Sequence, residues 1–231
     1  MTSFKRAHSD EQRAQRRRMI LDTAAAMLAE MPVAQISLNE LSRRVGLAKS
    51  NVLRYFESRE AVLLELLDAE LRDWLAGLGD ELAAGIDRDA PLADRADQLA
   101  AVFTASLGAR PVLCDLVSNQ AAVLEHNVSP RMAAEHKRGL IANVSVLIGL
   151  VREPVPELGE RDAYRFAAAA VMVAGAVWVH SRPAAAMLAA YAEDPALAAL
   201  RIDFDSTLRE TLEVFIAGLL AKSSAERDAI R

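Results

Sequence analysis

Residues 37–56 constrain the fold of this 231-residue chain more than any other stretch. Ser37 followed by Glu40 has the spacing of a capping box, which predicts a helix beginning directly after Ser37. That helix is short, because Gly46 stands where a helix C-terminus favours a residue that tolerates positive φ. A second short helix is predicted over 49–56. Two short helices joined through a glycine turn are typical of a helix-turn-helix.

Longer helices are predicted on both sides of this pair. Ser9 and Gln12 repeat the capping-box spacing, so a supporting helix is expected to begin near Asp10 and to end before Pro32. Ser58 is expected to cap a fourth helix. Apolar residues at helical spacing mark the predicted buried faces, which are Ile20, Ala24, Met27 and Leu28, then Leu38, Leu41 and Val45, then Val52 and Phe56, and finally Leu63, Leu67, Leu71, Trp74 and Leu78.

The rest of the chain is also predicted to be helical. Hydrophobic residues make up 52 % of the sequence and aromatic residues only 5 %, and no alternating strand pattern emerges. Helices are expected over 92–107, 111–118, 130–151 and 160–181, and a final helix includes 208–219. The predicted fold class is therefore all-α.

The distribution of charge suggests a polyanionic partner. The net charge is −5, yet residues 1–59 carry a net +5 and residues 60–231 a net −10. A basic end on an acidic body favours contact with a polyanion through that end, although a solvated basic helix fits the same pattern. Four arginines of the first helix can line a nucleic-acid backbone or reach toward a minor groove, and their spacing does not choose between them: Arg13, Arg16, Arg17 and Arg18.

A membrane span and an exported protein are both disfavoured. The longest apolar run, residues 166–179, is shorter than the about 20 residues that cross a bilayer, and it predicts a buried helix. The charged first residues lack the apolar stretch of a secretory signal. A lone cysteine, Cys114, fits a reducing compartment. We expect a cytoplasmic protein with no membrane partner.

The stretch ISLNELSRRVGLAKSNVLRYFESREAVLLELL resembles the N-terminal domain of the TetR family of transcriptional regulators. The matching features are Gly46 in the turn, the Tyr55-Phe56 pair, and the Ser58-Arg59-Glu60 start of the fourth helix. The resemblance implies a helix-turn-helix DNA-binding domain with a basic N-terminal arm at 1–58. It implies a larger helical ligand-binding and dimerisation domain at 59–231.

The resemblance also implies which residues bind DNA. An outward polar face is expected on the second short helix, where arginine can read guanine and asparagine adenine. Leu53 departs from the family, which often has tyrosine there, and it can touch a thymine methyl instead. The candidate DNA-binding residues are Ser37, Asn39, Lys49, Ser50, Asn51, Arg54, Tyr55 and Arg59, of which Tyr55 can equally pack beneath the helix.

Implied partners are a palindromic double-stranded operator, a second copy of the chain and a small, largely apolar effector that releases the protein as a repressor. Candidate effector-binding residues, for each of which plain core packing is the favoured role when it is taken alone, are Trp74, Phe103, Leu113, Leu116, Gln120, Met132, His136 and Trp178. The candidate dimer interface is the apolar stripe Leu208, Leu212, Phe215 and Leu219, for which burial within one subunit is the alternative.

Two other function classes stay open at this point. An all-α enzyme with an apolar pocket would need a nucleophile, an acid–base pair or a metal site, and no such motif is visible. His126, His136 and His180 lack metal-ligand spacing with Cys114, so no metal or cofactor is expected and the protein is predicted not to be an enzyme. A helical scaffold that uses its basic first helix is the third class.

Overall fold

The computed structural model describes the backbone of residues 2–228 and the side chains of residues 11–225. Every regular element within this range is helical, which confirms the predicted all-α class. In chain order the α-helices are α1 (Thr2–Glu30), α2 (Leu38–Val45), α3 (Lys49–Val52), α4 (Arg59–Gly85), α5 (Leu92–Gly108), α6 (Pro111–Asn119), α7 (Pro130–Arg152), α8 (Gly159–His180), α9 (Ala185–Glu193), α10 (Pro195–Ala198) and α11 (Phe204–Asp228). The connections include 3-10 turns at Val33–Gln35 and Pro156–Leu158 and a π-helical turn at Gln120–Leu124.

Two predicted helix bounds are wrong. The first helix begins at Thr2 and runs through Asp10, because the lysine, arginine and alanine that precede Ser9 are good helix formers. The second short helix ends at Val52, well before residue 56, because the N–H groups of Arg54 and Tyr55 donate to carbonyls three positions back, which tightens the chain into a turn. The side chains of the predicted basic arm, up to residue 10, lie outside the described residues.

Contacts group the chain into two compact units. The first unit comprises the residues up to Glu70 together with Asn119–Gly139, and the second comprises Leu71–Ser118 and the residues from Leu140 onward. The sequence-based division at residue 58 stays a prediction. What the structure adds is that a segment from the middle of the chain packs in the same unit as the two short helices.

The first unit has a small apolar core in which α1 packs against α2 and α2 against α3. The predicted buried face of α1 is confirmed, and so are Val52 and Phe56. In α2, Leu41 is fully buried, whereas Leu38 and Val45 are half-buried. This packing leaves the other sides of both short helices free for polar residues.

The second unit is built around α11, which packs against α5 and α8. Trp74, Phe103 and Phe166 form a buried aromatic cluster with edge-to-face contacts, and the Trp74 indole N–H donates to Ser106 Oγ over 2.9 Å. Burial raises the pKa of the Cys114 thiol to about 12, so this thiol stays protonated at neutral pH. The cluster and Cys114 make the interior of this unit apolar.

A buried carboxylate joins α8 to α11 within the same unit. Asp162 accepts hydrogen bonds from Ser223 Oγ over 2.6 Å and from Arg165 over 2.9 Å. These hydrogen bonds, that of Ser223 above all, hold the pKa of Asp162 below its ordinary value. The carboxylate is therefore ionised and paired in the folded protein.

One segment among the described residues, Pro156–His180, is long and apolar enough to cross a membrane, and its most apolar window of 18 residues has a mean hydropathy of 1.3. Within its most apolar window, 44 % of the residues are buried inside the protein. The segment contains α8, which packs against α5 and α11. This packing is that of a core helix.

The predicted dimer stripe on α11 needs a correction. Leu208, Leu212 and Leu219 are buried within the single chain, where α11 packs against α5 and α8, so they are not available to a second subunit; Phe215 is half-buried. The amphipathic pattern therefore marks an internal face. The opposite face of α11 carries Val214, which is 75 % exposed.

Candidate DNA-binding interface

The geometry of the two short helices follows from local sequence. Ser37 Oγ accepts a hydrogen bond from the backbone N–H of Glu40 over 3.1 Å, which confirms the predicted N-cap of α2. Gly46 adopts φ 73° and ends α2 in the left-handed conformation. The N–H groups of Gly46 and Leu47 donate to the carbonyls of Arg43 and Ser42, the pattern of a Schellman motif. This turn sets where α3 begins.

The segment from α3 to the start of α4 presents its polar side chains to solvent. Lys49, Ser50, Asn51 and Arg54 are exposed, whereas Val52 on the opposite side is fully buried. Within the described residues, neither Lys49 nor Arg54 forms an ion pair. Two unpaired cations and an amide on one outward face suit the acceptor-rich edges of bases and the phosphates of a duplex.

The two DNA-binding candidates at the start of α2, Ser37 and Asn39, differ in whether their polar groups already have a partner within the part of the protein that the structure describes. Asn39 is exposed, whereas the Ser37 hydroxyl already caps the helix. Arg43 and Arg44 lie further along the same helix, and their hydrogen bonds lower the pKa of Glu40 to about 2. Leu53 is exposed beside the polar face, where its methyl groups can reach a thymine methyl.

Arg59 differs from its expected role. Its guanidinium donates to the Ile36 carbonyl over 2.9 Å and to the carboxylate of Glu60 over 3.0 Å. The side chain is half-buried at the start of α4, where Ser58 Oγ caps the N–H of Ala61. These contacts within the chain count against the predicted phosphate contact and favour a structural role that fixes α4 to the segment before α2.

The arginines of α1 separate into two groups. The Arg17 guanidinium donates to the Tyr55 carbonyl and the Glu65 carboxylate, and it lies 4.3 Å from the centroid of the Phe56 ring. Arg13 and Arg16 are exposed and line a cleft of about 520 Å³ together with Arg54 and half-buried Tyr55. Sequence spacing could not make this distinction, because it depends on contacts between distant helices.

The predicted effector-binding residues are divided between the two compact units. Trp74 and Leu113 border the same narrow apolar space of about 210 Å³, which does not admit a water molecule. Phe103 and Leu116 are fully buried in the core of this unit. Trp178 is buried too, against Phe204 and beneath the Arg182 guanidinium, and it lines a separate cleft.

The three polar or flexible candidates for the effector site, Gln120, Met132 and His136, belong to the other compact unit. Buried His136 is 2.9 Å from Asp68 Oδ1 through Nδ1, and its Nε2 is 3.2 Å from the Gln120 amide nitrogen. The N–H of Ser129 donates to Glu57 over 2.6 Å. His136 and Gln120 thus join the segment after α6 to α4, a partnership that sequence reasoning missed because no local pattern links residues so far apart.

Two family models match the chain. The model described as "Bacterial regulatory proteins, tetR family" covers residues 20–66, and the model described as "Tetracyclin repressor-like, C-terminal domain" covers residues 68–223. The chain belongs to the TetR family. Membership classifies the chain among the bacterial regulatory proteins of this family, which confirms the resemblance noted in the sequence.

Individual relatives agree with this assignment over different spans. The HTH-type transcriptional regulator EthR of Mycobacterium tuberculosis is 45 % identical over 49 residues, which is 21 % of this chain and 23 % of EthR. The match therefore spans less than a quarter of that relative. Among solved structures, FadR from Bacillus subtilis in complex with stearoyl-CoA has a TM-score of 0.54 at 14 % identity, over 87 % of this chain and 97 % of FadR. The TetR family repressor AlkX from Dietzia sp. has a TM-score of 0.50 at 12 % identity, over 88 % and 94 %. Both likenesses show the fold.

Proposed function

We propose that this TetR-family protein is a repressor that binds a palindromic operator as a homodimer and is released by a small, largely apolar effector. The observation that carries the proposal is the outward face of α3 and the following turn, where Lys49 and Arg54 are exposed without an ion pair in the described part of the chain. We also propose a cytoplasmic location, because a bacterial operator would be reached there.

We infer the DNA-reading role of this face from its chemistry. Arg54 can donate to two acceptors of guanine, and Asn51 can pair with adenine in the same way. Lys49 and Ser50 can contact phosphates or bases. A dimer with two-fold symmetry presents two such faces, which is why the operator is expected to be a palindrome.

The dimer surface proposed here is the outer side of α8 and α11. Val214 on α11 is 75 % exposed and Met172 on α8 is 67 % exposed, and Gly218 on α11 allows close approach of a second helix. The short α9 follows α8 in the chain, has no buried residue and exposes Met187. A second copy would remove these apolar side chains from water.

The oligomeric state tests this surface directly. We expect the unaltered protein to sediment as a dimer and Val214→Glu to shift it toward monomer. Ile141→Glu is the matched control, because Ile141 is 68 % exposed on α7, a different helix from the two that form the proposed surface. Equal dissociation by both substitutions, or by neither, would refute the proposed surface.

We infer that the effector enters the apolar interior of the second unit. Leu71, Trp74, Leu107 and Val117 border the narrow space described above, so a ligand must widen it on binding. Trp74 lies in α4, the helix that begins at Arg59 beside the DNA-reading segment. Widening that displaces α4 would alter operator affinity, provided that the effector prefers the displaced state.

The apolar lining supports an effector with a hydrocarbon portion. The B. subtilis relative of similar fold is described in complex with stearoyl-CoA, and AlkX is described as implicated in the biodegradation of n-alkanes. At 14 % and 12 % identity these descriptions suggest compounds to screen. They do not select one.

Footprinting on the DNA that flanks the protein's own gene tests the whole proposal. We expect protection of a palindrome that is lost when a suitable apolar compound is added. Arg54→Ala is expected to lose the footprint, and Ile141→Ala, which alters an exposed side chain outside the reading face, is expected to keep it. Turnover of a compound without any footprint would favour the enzyme class instead. DNA binding without sequence preference would favour a scaffold.

A further inference from the structure

We propose that Arg13 and Arg16 of α1 hold one backbone phosphate of duplex DNA in the cleft that they share with Arg54 and Tyr55. The inference rests on the proposed DNA-binding function and assigns a site for the backbone, which adjoins the base-reading face at Arg54. It also selects among the basic residues of α1, which the sequence leaves equivalent.

The cleft has two walls. One wall is the face of α1, and the other is the turn that follows α3. Its volume is about 520 Å³, which leaves room for a phosphate with part of its sugar. The lining residues are Gln12, Arg13, Gln15, Arg16, Met19, Arg54 and Tyr55. Among the side chains that the structure describes, residues 11–225, no carboxylate lines the cleft, although Glu11 is adjacent in sequence.

The chemistry of the lining favours a phosphate. Three guanidinium groups, from Arg13, Arg16 and Arg54, repel one another in an empty cleft, and an anion relieves that repulsion. The planar guanidinium fork matches two phosphate oxygens, and glutamine amides can donate further hydrogen bonds. Base edges are neutral, so they would not offset the positive charge of the three guanidinium groups.

Arg54 connects this site to the reading face. It borders the cleft and also lies in the turn that directly follows α3, the helix on which Lys49 and Asn51 are exposed. A phosphate held in the cleft would therefore lie beside the DNA groove that the outward face of α3 and the following turn would read. Phosphate contacts of this kind fix the register of a protein on a duplex without carrying sequence information themselves.

Arg17 fixes the width of the cleft instead of binding in it. Its guanidinium is engaged by the Tyr55 carbonyl, by Glu65 and by the face of the Phe56 ring. These contacts hold α1 against the turn after α3. Arg18 differs again, since it is exposed on α1 but is not among the residues that line the cleft. It provides a matched control with the same charge on the same helix.

The test is the salt dependence of DNA affinity, measured on the full-length protein by fluorescence anisotropy. Because phosphate contacts are made on any sequence, the probe is a duplex of unrelated sequence, and the operator need not be known. Salt is varied between about 50 mM and about 200 mM. The variants are Arg13→Ala, Arg16→Ala, the double variant and Arg18→Ala, each checked for an unchanged melting temperature.

One phosphate contact contributes about −0.9 to the slope of log affinity against log salt. Because the proposed DNA-binding species is a homodimer, loss of one contact per protomer removes about two contacts from each complex. It therefore narrows the affinity ratio of unaltered to variant protein by about 12-fold between these two salt concentrations. We expect this narrowing for the double variant and not for Arg18→Ala. Each single variant should show part of it, because both arginines hold the same phosphate.

Three results would overturn the proposal. A double variant whose slope equals that of the unaltered protein would show that no phosphate is held there. A slope change of about four contacts per dimer would show that each arginine binds its own phosphate. An equal change for Arg18→Ala would show diffuse attraction by the helix. If the unaltered protein shows no salt-dependent affinity for any duplex, the proposed function fails as well, so the two failures are distinguishable.

A charge-retaining variant provides the second measurement. Arg13→Lys with Arg16→Lys keeps both positive charges and removes both guanidinium forks. We expect the salt slope of the unaltered protein with weaker binding at every salt concentration. Affinity equal to that of the unaltered protein would mean that charge alone matters, which contradicts a cleft shaped for phosphate.

Discussion

The left-handed conformation of Gly46 allows a prediction in which strain and steric clash are separable. Gly46 has φ 73°, a conformation that L side chains rarely adopt, yet a Cβ added there would meet nothing within 4 Å. Gly46→Ala therefore imposes backbone strain without a clash. Left-handed backbone costs an ordinary residue about 1–2 kcal/mol, so the α2–α3 turn should lose about that much stability.

Hydrogen exchange followed by mass spectrometry measures this loss locally. A loss of about 1–2 kcal/mol corresponds to roughly 5–30-fold faster exchange, which we expect for amides of residues 38–56. Peptides of the second unit should be unaffected, which serves as an internal reference. Gly46→Asn should fall between glycine and alanine, because asparagine tolerates this conformation better.

Gly149→Ala is the matched control for the same change of side chain. Gly149 is exposed in α7, has no positive φ, and has nothing within 4 Å of an added Cβ. Alanine in a helix is favoured over glycine by about 0.5–1 kcal/mol, so this variant should be neutral or more stable. If Gly46→Ala leaves exchange of residues 38–56 unchanged, or if both variants shift stability in the same direction, the reasoning from backbone conformation is refuted.

Other predictions concern the reading face and the second unit. Arg54→Ala should weaken binding to the specific operator by about 1–3 kcal/mol and should relax discrimination at one base pair. Fluorescence anisotropy on operators with single-base changes measures both effects. An equal loss of affinity on every sequence would assign Arg54 to phosphate alone. Because the folded pKa of Asp162 is below 3.8, the stability from its bond to Ser223 is present above that pH and is lost as the pH falls through the lowered pKa. Asp162→Asn should make the melting temperature less dependent on pH in this acidic range, as measured by thermal unfolding followed by tryptophan fluorescence. A melting temperature that depends on pH as in the unaltered protein would contradict a stabilising role of the ionised Asp162 carboxylate. Gly175→Ala would place a Cβ 3.0 Å from Val117 Cγ1 and 3.3 Å from backbone atoms of α6, so we expect a loss of about 1–3 kcal/mol in denaturant unfolding, and an equally stable variant would contradict the close packing.

The parts of the fold that the sequence predicted well are those decided by local interactions. The Ser37 cap and the Gly46 turn each depend on atoms within a few residues, and both confirmed expectations follow from short-range hydrogen bonding. Periodicity likewise identified the buried faces of α1 and α4 correctly. The Ser9 spacing predicted a helix start that the chain does not use, because a capping box can also lie within a longer helix.

The predictions that the sequence could not settle are of two kinds. One kind asks which surface covers an apolar helix face, and the other depends on contacts between residues far apart in the chain. The stripe that includes Leu208 and Leu212 has the pattern of a covered face, but periodicity does not tell whether the cover is the same chain or another. His136 was a candidate for the effector, and its partner Asp68 lies on a helix that the sequence places far away. Arg17 was indistinguishable from Arg16 until the packing of α1 was known.

The membership of Asn119–Gly139 in the first unit affects how this regulator can be recombined with others. A chimaera that takes only the residues up to 70 would strip Glu57 of the Ser129 amide and Asp68 of the His136 imidazole. Both acceptors would then face whatever the foreign sequence supplies. Transplanting the specificity of this protein therefore calls for two separate pieces of chain, the leading seventy or so residues and the later insert that supports them.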